Sequence, residues 1–392
     1  ITPSKNAGIG SYTLQQFSDA LRTGVRADGA RLYPAMPYTA YALVTDDDVT
    51  ALYAYFMQAV NAVDTRPPPT RLPFPFNLRW SMAAWNMLFL DSKPFTPDPG
   101  KNAQWNRGAY LVRGLGHCGT CHTPRNLLMA ENVSREFGGA QLGPWYAPNI
   151  TSDANSGIGG WQAGEIVDYL HAGHAAGKAQ AAGPMAEAVD HSLQYVDAGD
   201  LQAIASFLKT TPALHDAGDS KPVYAWGQAG NTLDGIRGAD PPKDSEQWSG
   251  AQLYDAYCAT CHQASGEGSF DGGLPSLFHN TATGRLNTDN LVMTMLDGID
   301  YRTGAASIRM PGFAAELSDA QVAKLGSFLL KQYGNPEGKV TPDQVRTLRA
   351  GGPESHLVSL ARLAMVTGLL LALAILVRLI RRKQRRTSSR LA

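Results

Sequence analysis

The 392-residue sequence has no surplus of either charge: 34 lysines and arginines meet 34 aspartates and glutamates. Nucleic acid is therefore excluded as a partner class, since binding along a phosphate backbone needs a basic excess. The chain also lacks paired carboxylates, a nucleophile beside a base and a phosphate-binding loop, so nothing in it supports a substrate site of its own. It opens on Ile with no signal peptide.

What charge there is lies unevenly. From Arg378 the chain reads RLIRRKQRRTSSRLA, with seven basic residues and no acidic one. Before it runs LVSLARLAMVTGLLLALAILV, residues 357–377. As a helix this stretch rises about 31 Å, close to the thickness of a bilayer core. Arg362 is its only charge, near its start, where a long side chain can snorkel. A buried soluble helix is the plainer alternative, but fifteen uncharged residues followed by a basic cluster fit a single-pass anchor better. The positive-inside rule makes the tail cytoplasmic and places residues 1–356 in the periplasm, on the inner membrane. An exported domain without an export signal leads to the expectation that the chain continues before Ile1.

Cysteine is scarce, and all four fall in two copies of one pattern: CGTCH (Cys118, Cys121, His122) and CATCH (Cys258, Cys261, His262). Residues i and i+3 of a helical turn face the same way, so two thiols can add to the two vinyl groups of one haem. The histidine that follows is then placed under the iron. This is the attachment pattern of c-type haem. Zinc suits it less, because paired CxxC ligands usually stand about 15–20 residues apart, and the gap here is far longer. Disulfides fit an exported domain, yet those within CxxC are short, strained and usually redox-active. His117 reads as an exposed neighbour of Cys118, not a ligand.

An internal repeat adds a second kind of ligand. ITPSKNAGIGSY at residue 1 returns as ITSDANSGIGGW at residue 150, an offset of 149 that carries Met36 onto Met185. Met36 lies in RLYPAMPY and Met185 in AAGPMAEAVDHS, so both read as Pro-containing loops ahead of an amphipathic helix. Those helices also correspond. TDDDVTALYAYF (45–56), DAGDLQAIASFL (197–208) and SDAQVAKLGSFL (318–329) each open on a capping residue and carry apolar positions at helical spacing. Met310, in SIRMPGF, precedes the third of them. The repeat therefore predicts three modules, with Met36, Met185 and Met310 as sixth ligands of the haem iron. The histidine matching Met36 falls roughly two dozen residues before Ile1. His/Met coordination raises the reduction potential and fills the site at which oxygen or peroxide binds. It marks an electron carrier.

The chain resembles the triple-haem cytochrome c subunits of bacterial membrane-bound alcohol, gluconate and aldehyde dehydrogenases. The likeness rests on DGARLYPAMPYTAYALVTDDDVTALYAYFM, FPFNLRWSMAAWNMLFLD, WNRGAYLVRGLGHCGTCHTPRN, APNITSDANSGIGGW, GPMAEAVDHS, YCATCH and RMPGFAAELSDAQVAKLGSFL. It implies a mostly α chain of tandem cytochrome c domains ending in a transmembrane helix. The incomplete first module takes residues 1–64, and a Pro-rich linker with a short apolar helix takes 65–100. The second module takes 101–212, a linker 213–244 and the third module 245–336. A juxtamembrane segment (337–356), the transmembrane helix (357–380) and a basic cytoplasmic tail (381–392) complete the chain. Gly108 and Gly250 would let two helix backbones cross closely in their modules. The apolar stretch 81–90 reads as a helix packed between modules, with contact to membrane or quinone as the alternative. Residues 215–244 read as an extended connection.

The resemblance further implies haem c at two sites in this sequence and a third in the full-length protein. Electrons would enter from a large catalytic dehydrogenase subunit and leave to ubiquinone in the membrane. A carrier serving a terminal oxidase and a multi-haem peroxidase are the alternatives.

Overall fold

The computed structural model describes residues 1–270, 273–304 and 306–388, with side chains as far as Arg381. The basic tail expected over 381–392 lies outside the described residues from 389 onward, and 382–388 is described only as helical backbone. Among the described residues helix dominates, and the paired strands form three two-stranded antiparallel hairpins. The chain divides into two compact units. One takes residues 1–39, 46–92 and 354 onward; the other takes 40–45 and 93–353.

In the larger unit, two helix crossings set the frame. Asn102 caps the helix Ala103–Tyr110 by accepting from the backbone N–H of Trp105 (2.8 Å). That helix widens into a π-helical turn over Leu111–Leu115 just before the first cysteine pair. It crosses Ala198–Leu208, which Asp197 caps. The backbones meet where residue 108 has no side chain, since a Cβ on Gly108 would lie 2.0 Å from the carbonyl oxygen of Ala203. The helices Gly250–Tyr257 and Asp319–Tyr333 meet in the same way. A Cβ on Gly250 would stand 2.6 Å from the carbonyl oxygen of Lys324. Ser249 with Gln252 and Ser318 with Gln321 close reciprocal capping boxes at the starts of these helices. Arg107 also ties the first crossing, donating from Nε and Nη2 to the Asp200 carboxylate at 2.7 and 2.6 Å. This hydrogen-bonded guanidinium holds the Asp200 carboxyl below its ordinary range.

Among the described residues two large apolar cores and one small cluster lie in the larger unit. One core is built on Val112, Phe137, Leu201 and Phe207, the other on Leu253, Tyr254, Leu325 and Tyr333. The segment 215–244 differs from the extended connection expected of it. Val223 is fully buried, with its N–H donating to the Asn155 carbonyl at 3.0 Å, and Leu233 is buried in the second core. Its Gly, Pro and Asp content gives an irregular backbone, while two isolated apolar residues pin that backbone down.

The smaller unit reproduces the repeat bond for bond. Gly8, Ile9 and Gly10 donate to the carbonyls of Ser4, Thr2 and Ser4 at 3.1, 2.9 and 3.0 Å. In the larger unit Gly157, Ile158 and Gly159 donate to Asp153, Thr151 and Asp153 at 3.2, 2.9 and 2.9 Å. The ten-residue helices Leu14–Thr23 and Ala163–Ala172 follow, each with a capping box and each stopped by a left-handed glycine, Gly24 or Gly173. The Val25–Arg31 bridge corresponds to the His174–Gln180 pair. All of these lie 149 residues apart.

The apolar stretch forms the helix Ser81–Phe89 and packs within its own unit. Asn86 accepts from the Tyr38 hydroxyl (2.8 Å) and donates to the Thr23 carbonyl (3.0 Å). Trp80, Met87 and Leu88 remain exposed. The C-terminal helix runs Leu357–Ser388, and its span Leu357–Arg381 is long and apolar enough to cross a membrane, with none of its apolar window buried.

Gly108→Ala should cost about 1–3 kcal/mol in chemical denaturation, because the added methyl meets backbone and not a movable side chain. Gly164→Ala, which meets nothing within 4 Å, should be neutral or stabilising by under about 1 kcal/mol. Asp200 titrates lower folded than unfolded, so its pair with Arg107 contributes fully above the ordinary carboxylate range and fades as pH falls through the lowered value. Arg107→Ala should therefore weaken the acid dependence of unfolding. Both partners are partly exposed, which limits the effect to about 1 kcal/mol.

Candidate haem centres

Both CxxCH motifs follow a helix of the crossing pairs and fold into a single turn. Gly119–His122 is one such turn and Ala259–His262 the other. The His122 N–H donates to the Cys118 carbonyl at 3.0 Å and the His262 N–H to the Cys258 carbonyl at 2.9 Å. Each turn thereby gathers two cysteines and a histidine. None of the four cysteines is disulfide-bonded. Cys118 borders the first core and Cys258 belongs to the second. Burial pushes both thiols up to about 12 and raises Cys121 as well. The sulfurs of Cys118 and Cys258 lie against apolar walls, as thioether links to a large apolar ring require.

The histidines share one further contact that sequence reasoning missed. His122 Nδ1 lies 2.6 Å from the carbonyl oxygen of Pro148, and His262 Nδ1 lies 2.9 Å from that of Pro275. A carbonyl oxygen only accepts, so Nδ1 carries the proton in both rings and Nε2 keeps its lone pair. Burial lowers both histidines from their usual pKa, which keeps the rings neutral. A neutral, oriented imidazole with a free Nε2 is the form that ligates iron. A carbonyl leaves no mark in a sequence, and these stand 26 and 13 residues beyond their histidines. Only a shared proline at no fixed spacing hinted at them.

His117 is half-buried, not exposed as expected. It sits at φ 38° with its ring edge-on to Tyr41 at 5.5 Å, and burial lowers its pKa. The wide turn ahead of it folds the chain back and takes this side chain inward.

The three methionines occupy three different settings. Met185 lies inside the helix Gly183–His191, not in a loop as expected. Pro184 is in the first turn of that helix, where its missing N–H costs nothing. Met310 ends the strand Ala306–Met310, paired with Ile299 across the hairpin. Met36 lies in a turn of the smaller unit, and its carbonyl accepts from the Tyr38 N–H at 2.7 Å. The smaller unit contains no cysteine.

In the larger unit the two methionine-bearing elements adjoin. Met185 packs on a cluster of Ala181, Ala186, Val189 and Tyr301, and Ile299 and Ile308 of the hairpin join it. The Tyr301 ring covers Gly173, and its hydroxyl donates to the Ala172 carbonyl (3.1 Å) and accepts from Gln180. Among the described residues the indole N–H of Trp161, in the core that Cys118 borders, and Nδ1 of His174 are buried without a hydrogen-bond partner. The unmet donor of Trp161 fits the carboxylates that a haem carries.

The family model described as cytochrome C oxidase, cbb3-type, subunit III matches residues 246–329. Over 372 residues the chain is 46% identical to the fructose dehydrogenase cytochrome subunit of Gluconobacter japonicus, covering 92% of this chain and 76% of that one. It belongs to the cytochrome c subunits of membrane-bound dehydrogenases. In that family it is also 36% identical to the cytochrome c subunit of the quinone alcohol dehydrogenase of Gluconacetobacter polyoxogenes, covering 91% of this chain and 76% of that one. The gluconate 2-dehydrogenase cytochrome c subunit of Pantoea cypripedii is 36% identical, covering 89% and 80%. The chain is thus an electron-transfer subunit and a haem c protein, and its apolar C-terminal helix fits a membrane anchor.

Tyr301→Phe should lower stability by about 1 kcal/mol, because Gln180 and the Ala172 carbonyl lose their shared partner while the ring still fills its place. Tyr301→Ala should cost about 3–5 kcal/mol in the same denaturation measurement, since it empties the cover of Gly173.

Proposed function

We propose that this chain carries electrons from a large catalytic dehydrogenase subunit, through a series of covalent haems, to ubiquinone in the inner membrane. The observation that carries the reading is the paired geometry of His122 and His262, each held through Nδ1 by a proline carbonyl and each one residue after a CxxC pair. A c-type haem supplies one-electron exchange at its iron. The protein supplies its attachment, orientation and shielding. Cys118 and Cys121 hold one haem and Cys258 and Cys261 another. His122 and His262 would hold the irons through Nε2, with Met185 and Met310 as the further protein ligands. The tandem modules 101–212 and 245–336 each contribute a crossing helix pair and a core, and the cluster around Tyr301 draws their methionine-bearing elements together. That adjacency favours transfer between the two haems over release to solvent.

Met36 is the sixth ligand of a third haem. Support comes from the backbone bonds, capped helix and left-handed glycine that precede both Met36 and Met185 at one constant offset. This reading requires a third CxxCH in the native polypeptide. The helix Leu357–Arg381 anchors the subunit, with the haem modules periplasmic and the arginine-rich end cytoplasmic. The named relatives are subunits of fructose, alcohol and gluconate dehydrogenases, so the partner is expected to oxidise an alcohol, a sugar or a related hydroxyl donor. The match of residues 246–329 to an oxidase subunit favours a terminal oxidase as the second reading of the acceptor.

Gentle solubilisation and mass spectrometry test the assignment. A co-purifying dehydrogenase and a polypeptide carrying three covalent haems are expected; two haems on the native polypeptide would remove Met36 from the ligand set. Met185→Leu should keep its covalent haem while that haem's midpoint potential falls, and an unchanged potential would exclude Met185 as ligand.

A further inference from the structure

Arg285 is only 9% exposed, yet among the described residues it forms no ion pair. A guanidinium keeps its charge at any ordinary pH, and a buried unpaired charge is strongly unfavourable. Among the described residues its hydrogen bond runs from Nη1 to the carbonyl oxygen of Ser156, at 3.0 Å. One backbone carbonyl is a thin complement for a group with five donors. Asp216 and Asp219 favour its charge from beyond ion-pair reach, Asp216 being bonded to Arg135 at 3.3 Å. Burial is the larger influence and pulls Arg285 below its usual pKa.

Its location narrows the choice of partner. In sequence Arg285 belongs with the third module, but Ser156 lies in the second, on the loop that ends at Trp161. The Trp161 ring stands edge-on to Tyr169 at 5.8 Å, and its buried N–H has no acceptor among the described residues. Tyr169 and His122 are both within electrostatic range of Arg285. An unpaired cation and an unpaired donor therefore border the same centre. A haem brings two carboxylates on flexible arms, which is the complement both groups lack.

We propose that Arg285 crosses from the third module to pair with a propionate of the haem attached at Cys118 and Cys121, with the Trp161 N–H as second donor, and so raises that haem's reduction potential. The inference rests on the haem assignment made above. Oxidised haem is one charge more positive than reduced haem, so a fixed cation nearby favours the reduced form. Loss of the cation lowers the potential.

The test uses the full-length, haem-loaded protein. Peptide mass first establishes haem at Cys118/Cys121; its absence would defeat the underlying assignment, separately from the present inference. Spectroelectrochemical titration then follows each haem, with the second-module wave identified by its loss in a Cys118→Ala/Cys121→Ala variant. Arg285→Gln should change the reduced-to-oxidised ratio of that haem about tenfold at fixed potential, equivalent to about 59 mV downward for one electron. The haem at Cys258/Cys261 should move much less, and Arg285→Lys should restore most of the shift. Redox-difference infrared spectra should show the propionate carboxylate band displaced in Arg285→Gln. An unmoved wave and band, with both haems attached, overturn the proposal. Should Arg285→Gln fail to fold, Trp161→Phe decides. It removes the N–H and keeps the packing, and an unchanged potential and carboxylate band there are equally fatal.

Discussion

At Gly108 one helix lies so near the carbonyl of Ala203 that no side chain fits between them, and the contact recurs between Gly250 and Lys324. Much of the larger unit follows from that closeness. The apolar residues of both helix pairs pack into the two cores, with Phe207 and Phe328 standing at the crossings themselves. The first helix of each crossing leads directly into a CxxCH turn, so the sulfurs emerge at the border of a packed interior. Each histidine is then fixed by a carbonyl on a separate stretch of chain, which removes the rotational freedom a lone imidazole would have.

A second constraint is shared by the two units. Gly24 and Gly173 end equivalent helices in the left-handed conformation, and each has a tyrosine ring where its side chain would be. Tyr38 supplies the ring at Gly24, from the same stretch of sequence. At Gly173 the ring comes from Tyr301, well over a hundred residues later. The stretch around Gly173 thus takes part of its packing from the distant strand Ile299–Thr303. Arg285 and Asn290 also reach across, Asn290 through paired bonds with the Tyr146 backbone at 2.9 and 2.8 Å. These contacts explain why residues 93–353 form one compact unit despite two separate cores.

The parts of this arrangement legible in the sequence were those written in local pattern. CxxCH, a capping residue followed by Gln and the offset of 149 each depend on spacing along the chain, and spacing is preserved in sequence. Met185 shows the limit. Pro184 suggested a loop, but proline is also at home in the first turn of a helix, and only the residues after it decide. Pro148 and Pro275 act through main-chain oxygen, which every residue has. Val223 and Leu233 looked like stray apolar residues in a polar linker until the cores they enter were in place. Tyr301 and Arg285 bond to carbonyls 129 residues away, where no sequence interval predicts a neighbour.

The π-helical turn at Leu111–Leu115 has a consequence of its own. Cys118 follows Gly108 by ten positions, whereas Cys258 follows Gly250 by eight. In an α-helix each added residue swings everything beyond it by about 100°, so two extra residues would aim the first cysteine pair away from its core. The wide turn absorbs the surplus, with Gly116 and Cys118 bonded back to Leu111 and Val112 at 2.7 and 2.9 Å. Here the length of the approach is negotiable and its bearing is not. The stretch thus takes up two residues of length without turning the cysteine pair that it carries.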